Sequence, residues 1–308
     1  DGASGIADPT GNAILETFTG GQMVVSITAT SRTARLAYAN ATGDPAIEFL
    51  GTADDVEPNT RLSNLSVRSR VGSGEGTLIA GFVINGSGNK SLLIRAVGPT
   101  LQDFGVTDAL PDPTLNLFNN ENLLTGNNDW GDSGTATNIS ALAQELGAFP
   151  LDPGSRDAAL NTALSAKAYT NHVSSADGSS GVALLEVYDA ESDAAAFLTN
   201  LSVRTSVTDQ AGGLIMGFVV DGNTPLNLLI RAVGPSLANF GVTGFLADPV
   251  LRVVDGNQEE IGINDNWGGS STLSSTFTSV GAFEFDSPDS KDAAILLNLE
   301  PGVYTVLI

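Results

Sequence analysis

Short apolar runs recur along this chain and are separated by turn-forming residues at intervals of about eight to twelve positions. The runs are rich in Val, Ile, Leu and Thr, and the breaks contain Gly, Asn, Asp and Pro. Residues 76–84 and 90–96, for example, flank a turn that contains Asn85 and Gly86, a pair that adopts the backbone angles of a tight hairpin easily. This pattern predicts an all-β sandwich or barrel.

Helical content is predicted to be small. Residues 139–146, before Gly147, have the apolar spacing and the glycine stop of one short helix. Residues 273–280, before Gly281, have the same features. The remaining apolar segments are predicted to be strands.

The strand pattern occurs twice, in two copies that are related by a constant offset in the numbering. Residues 62–68 return as residues 198–204, and residues 92–99 return as residues 228–235 (204 − 68 and 235 − 99 are both 136). A repeat of this length is large enough to form its own core. We therefore expect an N-terminal strand-rich arm at 1–60, a β-sandwich repeat at 61–190 and a second, incomplete repeat at 197–308.

The second copy lacks its last strand. The first copy continues beyond Tyr169 through residues 177–188, whereas the second reaches the matching Tyr304 and ends at Ile308. A sandwich without its last strand has unpaired backbone groups beside an open apolar groove, so another segment is expected to fill that groove. The alternative is that the sequence is a fragment cut short.

The N-terminus contains a candidate for the missing strand. Residues 1–7 resemble residues 177–183, and residues 13–18 resemble residues 183–188, although five residues separate the two N-terminal pieces. The predicted donor strand consists of Ala13, Ile14, Leu15, Glu16, Thr17 and Phe18.

Strand alternation predicts which donor side chains face the core. If Glu186 faces water, then Ala183, Leu185 and Val187 face inward, because successive side chains of a strand point to opposite faces. By the same register the donor offers Ala13, Leu15 and Thr17, with Leu15 as the central anchor. The donor strand could complete its own chain or a neighbouring copy, and chain length does not distinguish the two arrangements.

The charge of the chain restricts its partners. There are 35 acidic and 13 basic residues, with a net charge of −22. Nucleic acid and anionic membranes need clustered Lys and Arg, so neither is an expected partner, and a cation is a more natural ligand. The chain has no cysteine and no apolar stretch long enough to span a membrane. Its abundance of small polar residues is typical of an extracellular β-protein whose signal segment has been removed, and a salt-adapted protein is the second interpretation.

Several motifs resemble a known type of repeat. They are L-x-N-L-S-x-R, G-F-V, L-L-I-R-A-V-G-P, F-G-V, N-[DN]-W-G, G-A-F and D-A-A, within residues 61–308. The series resembles the repeat unit of large secreted or surface proteins of environmental bacteria. Its later half is similar to the bacterial pre-peptidase C-terminal domain, a β-sandwich appended to secreted enzymes. The resemblance implies secretion, an extracellular or cell-surface location and two tandem jelly-roll-like sandwiches, without implying a particular activity.

Two loops contain candidate metal ligands. They place the oxygen-bearing side chains of Asn127, Asp129, Asp132, Asn264 and Asp265 near two tryptophans, Trp130 and Trp267. A calcium ion binds about six to eight oxygen atoms, so calcium is a candidate ligand. The favoured interpretation is a tight turn capped by Asn and Asp over a packed tryptophan, because neither loop has the spacing of an EF-hand.

Two arginines are predicted to form structural ion pairs. Arg95 and Arg231 each end an apolar strand, and Asp157 and Asp292 each begin a D-A-A segment. A half-buried arginine needs a hydrogen-bonding acid, so we expect Arg95 to pair with Asp157 and Arg231 with Asp292.

No catalytic residue is predicted. The single histidine, His172, corresponds to Leu307 in the second copy, and no serine lies in a nucleophile motif. The sequence therefore favours a non-enzymatic structural protein: a subunit of an extracellular filament or surface appendage that needs no cofactor. Its partner is itself, because it is expected to form a homopolymer head to tail by donation of the N-terminal strand. The alternative is a secreted module that binds a glycan or calcium at the loops of Trp130 and Trp267.

Overall fold

The computed structural model describes residues 22–29, 60–132, 134–191, 195–206 and 214–308. One strand, β1 (Gln22–Ala29), precedes the two repeats. The first repeat contributes eight strands and one helix: β2 (Arg61–Val71), β3 (Leu78–Gly86), β4 (Asn89–Val97), β5 (Pro113–Asn119), β6 (Asn122–Asn127), α1 (Ala136–Glu145), β7 (Ala158–Ser165), β8 (Ala168–Ser175) and β9 (Gly181–Asp189). The second repeat contributes seven strands and one helix: β10 (Ala196–Ser206), β11 (Ile215–Asp221), β12 (Leu226–Val233), β13 (Leu251–Asp255), β14 (Glu260–Asn264), α2 (Ser271–Val280), β15 (Ala293–Leu299) and β16 (Gly302–Leu307).

These strands form two eight-stranded antiparallel sheets that pack face to face. One sheet has the order β15-β12-β1-β10-β3-β8-β5-β6, and the other has the order β14-β13-β16-β11-β2-β9-β4-β7. The prediction of an all-β sandwich is thereby confirmed. The predicted helices are also present, and α2 begins after the N-cap Ser270 and ends at Gly281, whose φ of 72° is left-handed.

The two repeats are joined strand to strand and share both sheets. At one junction β3 pairs with β10, with Phe82 opposite Leu201, and at the other β11 pairs with β2, with Phe218 opposite Leu65. The members of one pair are related to those of the other by the repeat offset, since 201 − 65 and 218 − 82 are both 136. The junctions are therefore equivalent, and the repeats are related by an internal two-fold axis, as in a symmetric dimer.

The hydroxyls of Ser69 and Thr205 lie on this axis. They are 2.6 Å apart and belong to equivalent positions, since 205 − 69 is 136. A single apolar core runs between the sheets through both repeats and includes Leu65, Phe82, Leu201 and Phe218. The repeats thus form one continuous sandwich in the described part of the chain, rather than two sandwiches with separate cores.

A helix covers the outer face of each sheet at one end. In the first repeat α1 packs over β4, β7 and β9 through a cluster that includes Trp130, Ile139 and Ala143. In the second repeat α2 packs over β12 and β15 through a cluster that includes Trp267 and Phe277. Among the strands beneath the helices, β4 and β12 are consequently buried on both faces over most of their length. Within the described ranges, neither helix is long and apolar enough to cross a membrane.

Candidate functional site: the strand slot of the second repeat

Strand β1 lies in the position that the second repeat leaves open. It is hydrogen-bonded to β10 on one side and to β12 on the other, and both pairings are antiparallel. In the first repeat β9 lies in the same way between β2 and β4. The position between β10 and β12, which we call the strand slot, is therefore the equivalent of the place of β9.

The register of β1 matches that of β9 residue for residue. Ile27 lies opposite Leu201 and Ile230, and Val187 lies opposite the equivalent Leu65 and Ile94. Ile27 of β1 and Val187 of β9 therefore occupy corresponding positions. The completed second repeat has the same central strand order as the first.

Three side chains of β1 enter the core. Met23, Val25 and Ile27 are all fully buried in the apolar cluster between the sheets. The corresponding residues of β9 are Ala183, Leu185 and Val187, which are buried in the same cluster, as alternation predicts. Burying an aliphatic side chain of this size contributes about 1.5–3 kcal/mol, so β1 contributes substantially to the core.

The strand in the slot differs from the predicted one. Residues 13–18 lie outside the described residues, and the slot of this chain holds Gln22–Ala29 instead. The prediction that Ala13–Phe18 fills this slot is therefore corrected. The physical reason is the apolar character of the inward face: the predicted set of Ala13, Leu15 and Thr17 includes a polar side chain, whereas Met23, Val25 and Ile27 are all apolar.

On the opposite face of β1, Ser26 and Thr28 are buried, and β1 has uncharged residues at two positions where β9 has Glu186 and Asp189. Ser26 lies opposite Arg231 and corresponds to Glu186 of β9. Ala29 does not belong to this face: it lies two positions beyond Ile27, opposite Leu228, and corresponds to Asp189. Thr28 accepts a hydrogen bond of 2.9 Å from the amide of Asn200.

Glu186 is buried, although alternation led us to expect it in water. Its carboxylate accepts hydrogen bonds from Nε (2.8 Å) and Nη2 (2.5 Å) of Arg95, whose Nη1 donates to the carbonyl of Phe149. Tyr188 donates to the same carboxylate at 2.7 Å, and burial raises the pKa of the Tyr188 hydroxyl well above its usual range. The layer beneath α1 covers this face, which is why a charged residue there needs an internal partner.

The predicted pairing of Arg95 with Asp157 is wrong, because Arg95 pairs with Glu186. The Asp157 carboxylate instead organises the loop after β4, where it accepts from the backbone N–H of Gly98 (2.7 Å) and from the hydroxyls of Thr100 (2.5 Å) and Ser155 (2.6 Å). Sequence reasoning missed Glu186 because its alternation with apolar neighbours is the usual sign of a solvent-facing residue.

Asp292 has the same loop-organising role in the second repeat. It accepts from the backbone N–H of Gly234 at 2.7 Å and from the hydroxyls of Ser236 and Ser290. Arg231 donates to the carbonyl of Phe283 at 2.7 Å, and its guanidinium lies over aromatic rings. The predicted pairing of Arg231 with Asp292 is therefore also corrected.

In the two loops that were candidates for calcium binding, the asparagine side chains form hydrogen bonds with the backbone. The amide nitrogen of Asn127 donates to the carbonyl of Asp129 (3.2 Å), and its oxygen accepts from the N–H of Ala159 (2.9 Å). Asn264 makes the same two bonds, to the carbonyl of Asn266 and from the N–H of Ala294, both at 3.0 Å. These amides tie each loop to the following strand.

The remaining candidate ligands do not form a cation cluster. The Oδ2 atom of Asp129 accepts from Asn128, and Asp132 and Asp265 lie in the same loops. Among the residues that the structure describes, no group of three or more acidic or histidine side chains could hold a metal ion.

A second buried ion pair, which sequence reasoning missed, anchors β9. The Nζ of Lys90 is 2.7 Å from Oδ1 of Asp189, and both side chains are fully buried. Arg61 approaches the other carboxylate oxygen at 3.3 Å. Burial raises the pKa of the Asp189 carboxyl, although Lys90 and Arg61 act in the opposite direction.

The fold and the slot define the class of this protein: a β-sandwich in which a strand from the N-terminal region completes an unfinished repeat. No family model and no curated protein matches the chain. Among solved structures, the crystal structure of the infectious bursal disease virus VP2 subviral particle is similar with 12% identity and a TM-score of 0.23, over 64% of this chain and 58% of that chain. The structure of infectious bursal disease virus Gt strain gives 10% identity and a TM-score of 0.19, over 65% and 58%. The chain therefore spans less than two thirds of either structure's chain.

Proposed function

We propose that this chain is the structural subunit of an extracellular filament or surface appendage, and that it assembles when β1 of one copy enters the strand slot of the next. The observation that supports this proposal is the position of β1 as a central strand. Its backbone is hydrogen-bonded on both sides, yet it precedes the sandwich in sequence and belongs to neither repeat. A strand supplied in this way can come from the same chain or from another copy.

The connection between β1 and β2 is long enough for either arrangement. Residues 30–59 link the two strands. A segment of this length spans about 100 Å when extended, which exceeds the width of a sandwich of this size. Exchange between copies breaks and re-forms the same backbone bonds, so effective concentration and packing between subunits decide which arrangement dominates.

The uncharged residues of β1 at two positions where β9 is charged favour exchange. Withdrawing β9 would separate Glu186 from Arg95 and Asp189 from Lys90, and breaking a buried ion pair costs about 3–5 kcal/mol. The corresponding positions of β1 are Ser26 and Ala29. Withdrawing β1 therefore breaks no ion pair at those two positions, and the strand can move between copies at lower cost than β9.

A cysteine pair tests where β1 goes. Ser26 and Ser202 lie directly opposite each other in β1 and β10, and the natural chain has no cysteine that could interfere. Directly opposite residues in antiparallel strands have Cα atoms about 4.5–5.5 Å apart, which suits a disulfide. In assembled Ser26→Cys/Ser202→Cys protein, we expect oxidation to give a ladder of covalent multimers on a non-reducing gel.

Mixed single variants supply the matched control. If Ser26→Cys and Ser202→Cys chains are assembled together and oxidised, covalent dimers joining one chain of each kind are expected, because β1 of the first kind then lies in the slot of the second. Assemblies in which the double variant gives only internally closed monomers, and the mixture gives no dimers, would refute strand donation between copies.

A further inference from the structure

A cleft opens beside Arg95 in the first repeat, between α1 and the outer face of its sheet. It has a volume of about 460 Å³, in the range of small-molecule sites. Its walls are mostly apolar and include Trp130, Ile139, Ala143 and Leu151. The exposed side chains of Ser140 and Gln144 line its solvent side.

The second repeat shows what fits this space. The segments 147–149 and 281–283 have the same sequence, Gly-Ala-Phe, and aligning them sets the correspondence of the residues around them. Ala143 therefore corresponds to Phe277 and Leu151 to Phe285. The two phenylalanine rings are buried, and their centroids are 5.0 Å apart.

Both phenylalanine rings lie over the equivalent arginine. The centroids of Phe277 and Phe285 are each 4.3 Å from Cζ of Arg231, a favourable distance for a cation–π contact. A third ring, that of Phe283, lies 4.6 Å from Cζ of Arg231. Its equivalent, Phe149, lies 4.4 Å from Cζ of Arg95 and is the one ring of the three that the first repeat shares. The first repeat thus has the arginine and smaller side chains where the second has two rings.

The β9 side of the first repeat does not close the cleft. Tyr188 and Glu186 are larger than Thr28 and Ser26, their equivalents in β1, but the Tyr188 ring is 5.7 Å from Arg95 and the cleft remains open beneath α1. Glu186 balances the charge of Arg95 and holds the guanidinium in place. Arg95 is fully buried at the floor of the cleft and its charge is balanced, which favours a neutral ring over an anion.

We propose that this cleft binds a small single-ring aromatic compound of the phenol class, with its ring in the place that Phe277 and Phe285 take in the second repeat. The ring lies beside Trp130 above the buried guanidinium of Arg95, and the polar substituent points to Ser140 and Gln144. This site is independent of the strand slot and of filament assembly.

Titration of the full chain with phenol tests the proposal, and cyclohexanol, which has a similar shape without the aromatic face, is the control ligand. The two tryptophans give two indole N–H signals in an NMR spectrum, one for each repeat. We expect phenol to shift the Trp130 signal with a dissociation constant of about 1 mM or tighter, while the Trp267 signal stays in place. Cyclohexanol is expected to bind at least about fivefold more weakly, because it lacks the cation–π contact.

Variants that restore the rings of the second repeat identify the site. Ala143→Phe is expected to weaken phenol binding at least about tenfold by filling the cleft, and Leu151→Phe is a second variant if the first fails to fold. Ala141→Phe adds the same ring on the exposed side of α1 and should bind phenol as the natural chain does. Absence of any phenol-induced shift, equal binding of cyclohexanol, or unchanged binding in a folded Ala143→Phe or Leu151→Phe variant would each overturn the proposal.

Discussion

Asn171 is a polar side chain in the middle of the apolar core. It is fully buried on β8 between Ala80 of β3 and Leu117 of β5. Neither its amide nitrogen nor its oxygen has a hydrogen-bond partner among the described residues. An amide buried in this way costs about 1–3 kcal/mol, and the equivalent position of the second repeat holds the fully buried Val306.

We predict that Asn171→Val raises the free energy of unfolding by about 1–3 kcal/mol, because it removes the unpaired amide at almost constant volume. Chemical unfolding of the full chain measures the change. The reciprocal variant Val306→Asn is the control and is expected to lower stability by a similar amount. A loss of stability in Asn171→Val would mean that the amide has a stabilising role.

His172 makes the fold sensitive to acid. Its ring lies 4.5 Å from that of Phe118, and burial, together with the nearby positive charge of Arg204, lowers its pKa from 6.5 to about 4. The unfolded chain therefore takes up a proton at a higher pH than the folded chain. The stability associated with the neutral ring is fully present above pH 6.5 and is lost as the pH falls toward 4.

We predict that lowering the pH from about 7.5 to about 4.5 costs the natural chain about 2–3 kcal/mol through this residue. In His172→Leu, which carries the residue of the second repeat, that part of the pH dependence should be absent. Urea unfolding of both proteins at the two pH values gives the change in the free energy of unfolding with pH. The contributions of the carboxylates cancel in the comparison, because both proteins contain the same carboxylates. His172 is the single histidine of the chain, so parallel curves would show that its pKa is ordinary in the folded state.

At the scale of the element, β1 and β9 fill equivalent positions with different attachments. A short connection, 176–180, joins β9 to β8, whereas residues 30–59 separate β1 from β2. Val25 of β1 and Val187 of β9 are both fully buried in the same core. By register Val25 corresponds to Leu185 and Val187 to Ile27, so the two valines are not at the same position, but they are the same residue type with the same burial in strands that are attached differently.

We predict that Val25→Ala and Val187→Ala each lower the free energy of unfolding by about 2 kcal/mol, because each removes two methyl groups from the core. A synthetic peptide of residues 19–32 in excess should restore thermal stability to Val25→Ala alone, since it can replace the weakened β1 in the slot. The same peptide with Val25→Asp is the inactive control. Equal rescue of both variants, or no rescue of either, would contradict an exchangeable β1.

The strands and helices could be predicted from the sequence, but the partners of the two buried arginines could not. The strands, both short helices and the inward faces of β9 were predicted correctly, because each depends on the local spacing of apolar residues and turn signals. The partners of Arg95 and Arg231 were not, because Glu186 lies 91 residues from Arg95 and nothing local distinguishes it from an exposed acid. A strand from the N-terminal region was expected in the slot, but the segment found there is Gln22–Ala29 and not the predicted Ala13–Phe18.

At the scale of the whole molecule, the two repeats behave as the halves of a symmetric dimer within one chain. The pairings of β2 with β11 and β3 with β10 extend each sheet from four strands to eight. This junction pairs backbone groups that would otherwise form exposed sheet edges, so it protects both repeats from uncontrolled association. Among the described strands, the remaining edges lie at the far ends, on β6 and β7 of one repeat and on β14 and β15 of the other.

The amino-acid sequence was sufficient to predict the repeat and the all-β class, because these features depend on local patterning and on comparison of one copy with the other. The folded chain was needed to show that Gln22–Ala29 occupies the slot, that Glu186 neutralises Arg95, and that the repeats share one core. These outcomes depend on contacts between residues far apart in the chain and on which sheet faces a helix covers. The spacing of apolar residues along a strand contains no information about these long-range contacts or about which faces the helices cover.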